Sequence, residues 1–412
     1  MTVTSRNVAV LSSAPNGGAG IAARRIADAI NTSGFLQADF VDIMSLGQGV
    51  PQSVSPSGSF SNQQISDTYF TCEFAGFARG WVIEFLAGYD LVNVHWASHL
   101  ISTSELLTLA QNGKPLLFTL HDFFHATGGC HYPASCNQLA LGCQACPQVD
   151  TARCDQSVIR HNSALKRHVF SLPNVHLSAP SAFVRDTVVK AGIIPAERAH
   201  VLRNTYDPVA PFDPDRDFTG RLLVIADSLH EGRKNMPFAL DMLARLHELG
   251  AVSFHVDIVG YASPELKDYM ASRGVRHSFH GRVTDHGALT RIMQQTDVLL
   301  TPSLEDNWPN ILVEAGCYGC MPVVGPGHGC AEFVQHFGFG VVAKDYTLDS
   351  FTTALISALT QRSKPARAQA VAAIRNAHAP DTFAAAYGDC VQEVLGCDMH
   401  SQREMQHGAM RE

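Results

Sequence analysis

No stretch of this sequence approaches the roughly 20 consecutive apolar residues that a membrane-spanning helix needs. Its first apolar run, Val8–Leu11, is far too short for the core of a secretory signal, and residues 1–7 are largely polar. The expected location is therefore the cytoplasm, including the inner face of the membrane. Charged residues are scarce, at 17%, and the acidic ones prevail, 38 against 30, for a formal charge of −8. That balance argues against a nucleic-acid partner and against general attraction to anionic lipid. A local basic cluster, Arg160, His161, Lys166, Arg167 and His168, reads as a solvated helix face. No internal repeat of solenoid length is present, and no Tyr-x-x-x-Lys pair of the kind that serves many dehydrogenases and epimerases.

What is present is a globular composition, 46% hydrophobic over 412 residues. That length suits two domains of about 200 residues each. Strand-like apolar runs alternate with amphipathic helical segments throughout, the pattern of parallel α/β architecture. In the first half the strands are Val8–Ser12, Ala38–Ile43, Leu91–His95, Pro115–Leu120 and Val175–Ala179. Helices lie near Ala19–Thr32, Phe74–Ala87, Ser102–Gln111 and Ala182–Ala191, and the Ser/Gly/Gln/Pro stretch 45–66 reads as a mobile loop. Asn204–Gly220, with three prolines and four aspartates, marks a change of domain. The alternation then restarts at Leu222–Ala226 and ends in a helix, Asp381–Leu395, before a polar tail expected to be disordered.

Residues 297–332 carry the strongest local signal. The run Val298-Leu299-Leu300 stops at Pro302-Ser303, acidic Glu305 and Asp306 follow, and Pro309 opens a helical segment bearing Glu314. A second strand, Met321–Val324, ends in the turn Gly325-Pro326-Gly327-His328-Gly329. Strand–loop–helix–strand order places two carboxylates and a helix start at the carboxyl edge of a parallel sheet, where α/β proteins bind ligands. Carboxylates accept strong hydrogen bonds from sugar hydroxyls, and helix N-termini suit phosphate.

The pattern Pro302, Ser303, Asp306, Pro309, Asn310, Glu314, Ala315, Gly319, Pro322, Val323, Val324 resembles the acidic-pair motif of the retaining family-4 glycosyltransferases. Asp306 stands where that family usually has glutamate, and Glu305 is the alternative if the loop is shifted by one. The resemblance implies the GT-B fold: two Rossmann-like domains whose parallel sheets face across a cleft. It implies an acceptor-side domain at 1–205 and a nucleotide-sugar domain at 206–380. A final helix, 381–397, would pack back on the first domain, leaving a tail at 398–412. It implies a metal-independent transferase taking a UDP- or GDP-linked sugar to a glycan or lipid-linked acceptor, with peripheral membrane association as a possible consequence, and no catalytic cofactor.

Other segments take roles by the same resemblance. Arg233 and Lys234, two adjacent cations in a strand-to-helix loop, would neutralise the diphosphate; the family's usual upstream arginine is absent, Ser228 standing at that offset. Gly281, Val283 and Arg282 would border the base, Glu314 the ribose, and Asn310 and Ile311 the helix start beside the donor. Asp306 or Glu305 would hold sugar hydroxyls, and His121, at the end of Leu117–Leu120, would sit by the reacting centre. Asn204 resembles the family's linker asparagine. His95-Trp96, on the neighbouring strand end, could line the acceptor pocket or simply pack.

Residues 14–20 form a glycine loop between strand and helix. Gly17 and Gly18 resemble the transferases' Gly-Gly loop. Gly18, Gly20 and Ala23, with Asp42 about 20 residues on, equally fit a dinucleotide fingerprint and hence an NAD(P)-dependent oxidoreductase or sugar-nucleotide epimerase. A tight turn without ligand is the third possibility. Finally, Cys130, Cys136, Cys143 and Cys146 are spaced C-x5-C-x6-C-x2-C in a loop, 128–148, poor in apolar residues. Four thiolates suit a closed structural zinc site, with Cys154 and His131 as reserve ligands; free thiols are the alternative. A bacterial surface-polysaccharide subset of the family resembles this stretch. A zinc-stapled, non-catalytic binding protein would leave Asp306 and Glu314 unexplained.

Overall fold

Two six-stranded sheets, each parallel throughout, organise the chain in a computed structural model that describes residues 6–13, 17–34, 36–42, 60–65, 68–73, 80–98, 100–133, 136–149 and 154–396. In chain order the first half contributes β1 (Arg6–Leu11), β2 (Leu36–Val41), a hairpin of β3 (Phe60–Ile65) and β4 (Thr68–Glu73), then β5 (Leu91–Val94), β6 (Leu116–Thr119), β7 (Val175–Ala179) and β8 (Ala199–Val201). Its sheet runs β2-β1-β5-β6-β7-β8. Helices α1 (Gly18–Thr32), α2 (Gly80–Ala87), α3 (Thr103–Gln111), α4 (Gln156–Ser171) and α5 (Ala182–Lys190) connect the strands. The second half contributes β9 (Arg221–Ser228), β10 (His255–Tyr261), β11 (His277–Gly281), β12 (Val298–Thr301), β13 (Met321–Val324) and β14 (Val341–Val342), ordered β11-β10-β9-β12-β13-β14. Its helices are α6 (Met236–Leu249), α7 (Pro264–Ser272), α8 (His286–Gln295), α9 (Asn310–Gly316), α10 (His328–Phe337), α11 (Leu348–Thr360), α12 (Lys364–His378) and α13 (Pro380–Leu395). This is the GT-B arrangement.

The central strands are buried along their whole length, as β5, β6, β7 and β12 show. Helices cover both faces of each sheet, so a strand such as Leu-Val-Asn-Val needs no polar alternation. Helix starts are set locally: Ser102 and Glu105 form a reciprocal capping box on α3, and Ser181, Ser263 and Asp285 cap α5, α7 and α8. Helix α13 completes the core of the first half, where Phe383, Tyr387 and Val391 join Val8, Val10, Ile26 and Ile30. His378, at the end of α12, fixes the crossover: its Nδ1 donates to the Asn204 carbonyl at 2.6 Å, and its own carbonyl accepts from Tyr206 N at 2.8 Å.

Two expectations need correction. Within the segment expected to be a loop, Phe60–Ile65 is a strand, paired antiparallel with Thr68–Glu73. Its Ser-Asn-Gln-Gln interior hides strand character, and the β-rich partner, with Phe70 and Cys72 buried, supplies the order that local propensity does not. Residues 45–59 and the tail 398–412 lie outside the described residues, as do 74–79 of the expected helix at Phe74–Ala87. The basic cluster is not a solvated face throughout. Lys166 on α4 is 2% exposed, its Nζ donates to the Phe124 carbonyl at 2.6 Å, and burial pulls its pKa down to about 8. Arg167 donates to the Leu139 carbonyl at 2.5 Å. Both bind carbonyls of the irregular segment after β6, which has few hydrogen bonds of its own to offer.

Candidate active site

At the carboxyl end of β9 the chain turns through Gly232–Lys234 and reverses at Asn235, which has φ 55°, before α6 begins. At the end of β12, Pro302 stops the strand, and the loop to Pro309 crosses above the same edge. The two loops bind each other. The guanidinium of Arg233 donates to the Glu305 carbonyl at 2.9 Å, to Asp306 Oδ2 at 3.2 Å and to Glu231 Oε1 at 2.6 Å. Lys234 Nζ donates to the same Asp306 oxygen. Burial pushes the Asp306 carboxyl up, but Lys234 and Arg233 outweigh it and hold it below the usual carboxylate range. Two half-buried cations therefore share one buried anion.

The first domain faces this pair. The Tyr132 ring lies 4.1 Å from the Arg233 guanidinium. His121 is half-buried just beyond β6, its Nε2 2.7 Å from His95 Nδ1, and burial lowers its pKa to about 4. Its backbone oxygen accepts from Asn307 Nδ2 at 2.9 Å. More contacts cross the cleft. Arg25 on α1 pairs with Glu314 at 2.7 Å, and Asn310 donates to the Gly18 carbonyl at 3.2 Å while accepting from Asn204 at 2.8 Å. Glu332 on α10 accepts the Ala182 and Phe183 N–H groups, at 2.9 and 2.8 Å, and so caps α5 from the opposite domain.

The remaining site residues divide. Gly17 caps α1 through its backbone, and a Cβ at Gly18 would meet nothing within 4 Å, so packing does not demand that glycine. Gly281 has φ +65° and open space around it, which suits a chain reversal. Val283 and Ile311 pack, half-buried, on one face of the second sheet. Arg282 is exposed and paired with Asp227 at 2.8 Å. Sequence reasoning missed Arg25, Tyr132, Asn307 and Gly329. Arg25, two turns into the helix after the glycine loop, was the one with a local signal. A Cβ on Gly329 would stand 1.6 Å from the Asn307 carbonyl oxygen, a contact between segments that no local pattern reveals.

Cys130, Cys136, Cys143 and Cys146 line one cavity, with Thr127 and Leu139 in its wall. Gly128 N–H donates to Cys143 Sγ and Gln138 N–H to Cys136 Sγ, both at 3.4 Å. The described cysteines are all free thiols. Both reserve ligands are engaged elsewhere: His131 binds Asp122 at 2.7 Å and Thr71 at 2.8 Å, and Cys154 lies 3.4 Å from Cys72. Among the described residues no group of three or more His, Cys, Asp or Glu stands in an arrangement that could hold a metal ion. No helix among them is long and apolar enough to cross a membrane.

Comparison with known proteins agrees with the fold. WcaC of Escherichia coli (strain K12), named as a putative colanic acid biosynthesis glycosyl transferase, is 26% identical over 299 residues, 69% of this chain and 68% of its own. Among solved structures, Anabaena HepE in complex with UDP and glucose matches with TM-score 0.61 at 17% identity, covering 94% of this chain and 99% of the other. A glycosyltransferase from Rickettsia africae matches with TM-score 0.64 at 12% identity over 95% and 99%. Nothing in these comparisons favours an oxidoreductase. Residues 220–361, in the second half of the chain, match the family of glycosyl transferases group 1.

Proposed function

We propose that the protein is a retaining, metal-independent glycosyltransferase that moves a sugar from a UDP- or GDP-linked donor to a glycan or lipid-linked acceptor in surface polysaccharide synthesis. In this reading residues 1–205 bind the acceptor, 206–380 the donor, and 381–397 return to the first domain. The enzyme works in the cytoplasm, at the inner face of the membrane where the acceptor is lipid-linked. The observation that carries it is the part-buried Asp306–Arg233–Lys234 cluster at the sheet edge. Arg233 and Lys234 supply two positive charges that a leaving diphosphate needs, the work a divalent metal does elsewhere. When the diphosphate takes these cations, Asp306 is released to accept from sugar hydroxyls. Glu314 exchanges Arg25 for the ribose, and His121 stands on the opposite wall by the anomeric carbon. WcaC, through its colanic acid name, and HepE, through its bound UDP and glucose, support the substrate class.

The test is kinetic. Asp306→Asn should lower kcat more than Glu314→Gln does, because a misplaced anomeric carbon loses near-attack geometry. Glu314→Gln should chiefly raise donor KM, as loss of uniform binding does. If Glu305→Gln abolishes turnover while Asp306→Asn does not, the acidic pair is displaced by one. Proton NMR of the product reads retention directly, and an inverted anomeric centre overturns the mechanism.

Zinc in the cysteine cavity belongs to the same proposal. The donor set fits, four thiols with N–H groups already directed at two of them, whereas the side chains as placed do not close on one point. Elemental analysis of protein purified without added metal should find one zinc per chain, and chelation should lower Tm before it slows turnover. Metal-free protein with the same Tm would reduce the cavity to free thiols.

A further inference from the structure

Behind His121 a line of buried polar groups runs from the last helix to the cleft. The Tyr387 hydroxyl on α13 donates to Asn93 Oδ1 at 3.1 Å. Asn93 on β5 is fully buried, and its Nδ2 donates to the Leu117 carbonyl and to Thr119 Oγ1, both at 2.8 Å. A backbone carbonyl only accepts, so the amide cannot be turned around, and the atom facing Tyr387 and His95 is the oxygen. His95 Nε2 lies 3.1 Å from that oxygen and must donate to it. Burial pushes the His95 pKa well below its ordinary value, so the ring is neutral and its Nδ1 is a lone pair. His121 Nε2, 2.7 Å from that lone pair, must then carry a proton.

We propose that Asn93, His95 and Tyr387 are positioning residues that hold His121 as its Nε2–H tautomer, leaving Nδ1 as the nitrogen that accepts a hydrogen bond from a substrate hydroxyl. The surrounding groups are consistent with a neutral pair. His125 Nε2 donates to the His95 carbonyl at 2.8 Å, and burial lowers its pKa to about 3, so it brings no charge. Asp122, next to His121, is occupied by His131 and the Phe124 N–H. Tyr387 belongs to the helix that returns from the second domain. Tyr387, 294 positions after Asn93, thus supplies a second donor to the amide oxygen that accepts from His95.

The identity of the hydroxyl rests on the transferase reading; the tautomer does not. Nitrogen NMR of the histidine-labelled protein, with no substrate added, should show His121 Nδ1 as an unprotonated and Nε2 as a protonated nitrogen throughout the neutral range. His95→Phe removes the acceptor and should mix the tautomers and lower kcat by about 10²-fold, with donor KM little changed. His95→Gln offers an amide oxygen to His121 Nε2 and should restore most of the loss and the wild-type nitrogen signals. A protonated Nδ1 in the wild-type protein overturns the proposal, as does a folded His95→Phe protein with unchanged tautomer and kcat. Should His95→Phe not fold, the wild-type spectrum still decides. An inactive protein with the expected tautomer would fault the transferase reading instead.

Discussion

Lys234→Ala should weaken UDP or GDP binding by about 1.5–3 kcal/mol, roughly 10- to 150-fold, as expected for a lost charge-assisted contact. Isothermal titration calorimetry measures this directly, and an unchanged affinity for both nucleotides would place the diphosphate elsewhere. The same substitution carries a pH signature. Asp306 is held below its ordinary value of 3.8 by Lys234 first and Arg233 second, against the burial that raises it. A carboxylate whose folded pKa is depressed adds stability above the unfolded pKa, and that stability is lost as pH falls through the folded value. Removing Lys234 shrinks the depression. Wild-type and Lys234→Ala proteins should therefore differ in Tm at neutral pH and converge in acid below about pH 4. A difference that stays constant into acid would mean Lys234 does not stabilise the ionised Asp306.

Gly329→Ala should be among the most damaging single substitutions in the chain. The added methyl would stand 1.6 Å from the Asn307 carbonyl oxygen and 2.2 Å from its carbon, so backbone rather than a flexible side chain has to move. A cost of about 4 kcal/mol or more follows from such a forced displacement. The displaced segment also holds the site: Gly329 N–H donates to the Asp306 carbonyl at 2.9 Å, and Asn307 reaches the His121 carbonyl. Turnover should vanish even at temperatures where the variant stays folded. Gly388→Ala is the opposite case. It lies inside α13 with nothing within 4 Å of the added carbon, so it should raise stability by about 0.5–1 kcal/mol. Urea melts of the two variants, read beside activity, check both; equal effects would discredit the packing argument.

The doubly wound sheets were legible because their strands are short, mostly apolar and separated by amphipathic helices, so periodicity alone reports them. Val175–Ala179 has the bounds that pattern expects, and the expected Leu222–Ala226 lies within Arg221–Ser228. The inward turn of Lys166 on the helix Gln156–Ser171 escaped, since its charged residues read as a solvated helix face while Lys166 is drawn to the Phe124 carbonyl. The strand Phe60–Ile65 escaped because its polar residues gain order only from their pairing with Thr68–Glu73.

The site divides along the same line. Chain order alone put Asp306, Arg233, Lys234 and His121 just past strand ends and Glu314 on the helix that follows, because a parallel sheet delivers every strand terminus to one edge. Which of them meet was decided by tertiary structure. Asp306 closes on two cations, Glu314 on Arg25 from the other domain, and His121 on His95. The four cysteines were recognisable as a group from their spacing, whereas the diversion of His131 to Asp122 and of Cys154 to Cys72 was not. The physical reason is common to all. Periodicity and turn chemistry are local and written in neighbouring residues, whereas a hydrogen bond between residues 25 and 314, or 93 and 387, exists only after the sheets have stacked and the last helix has crossed back.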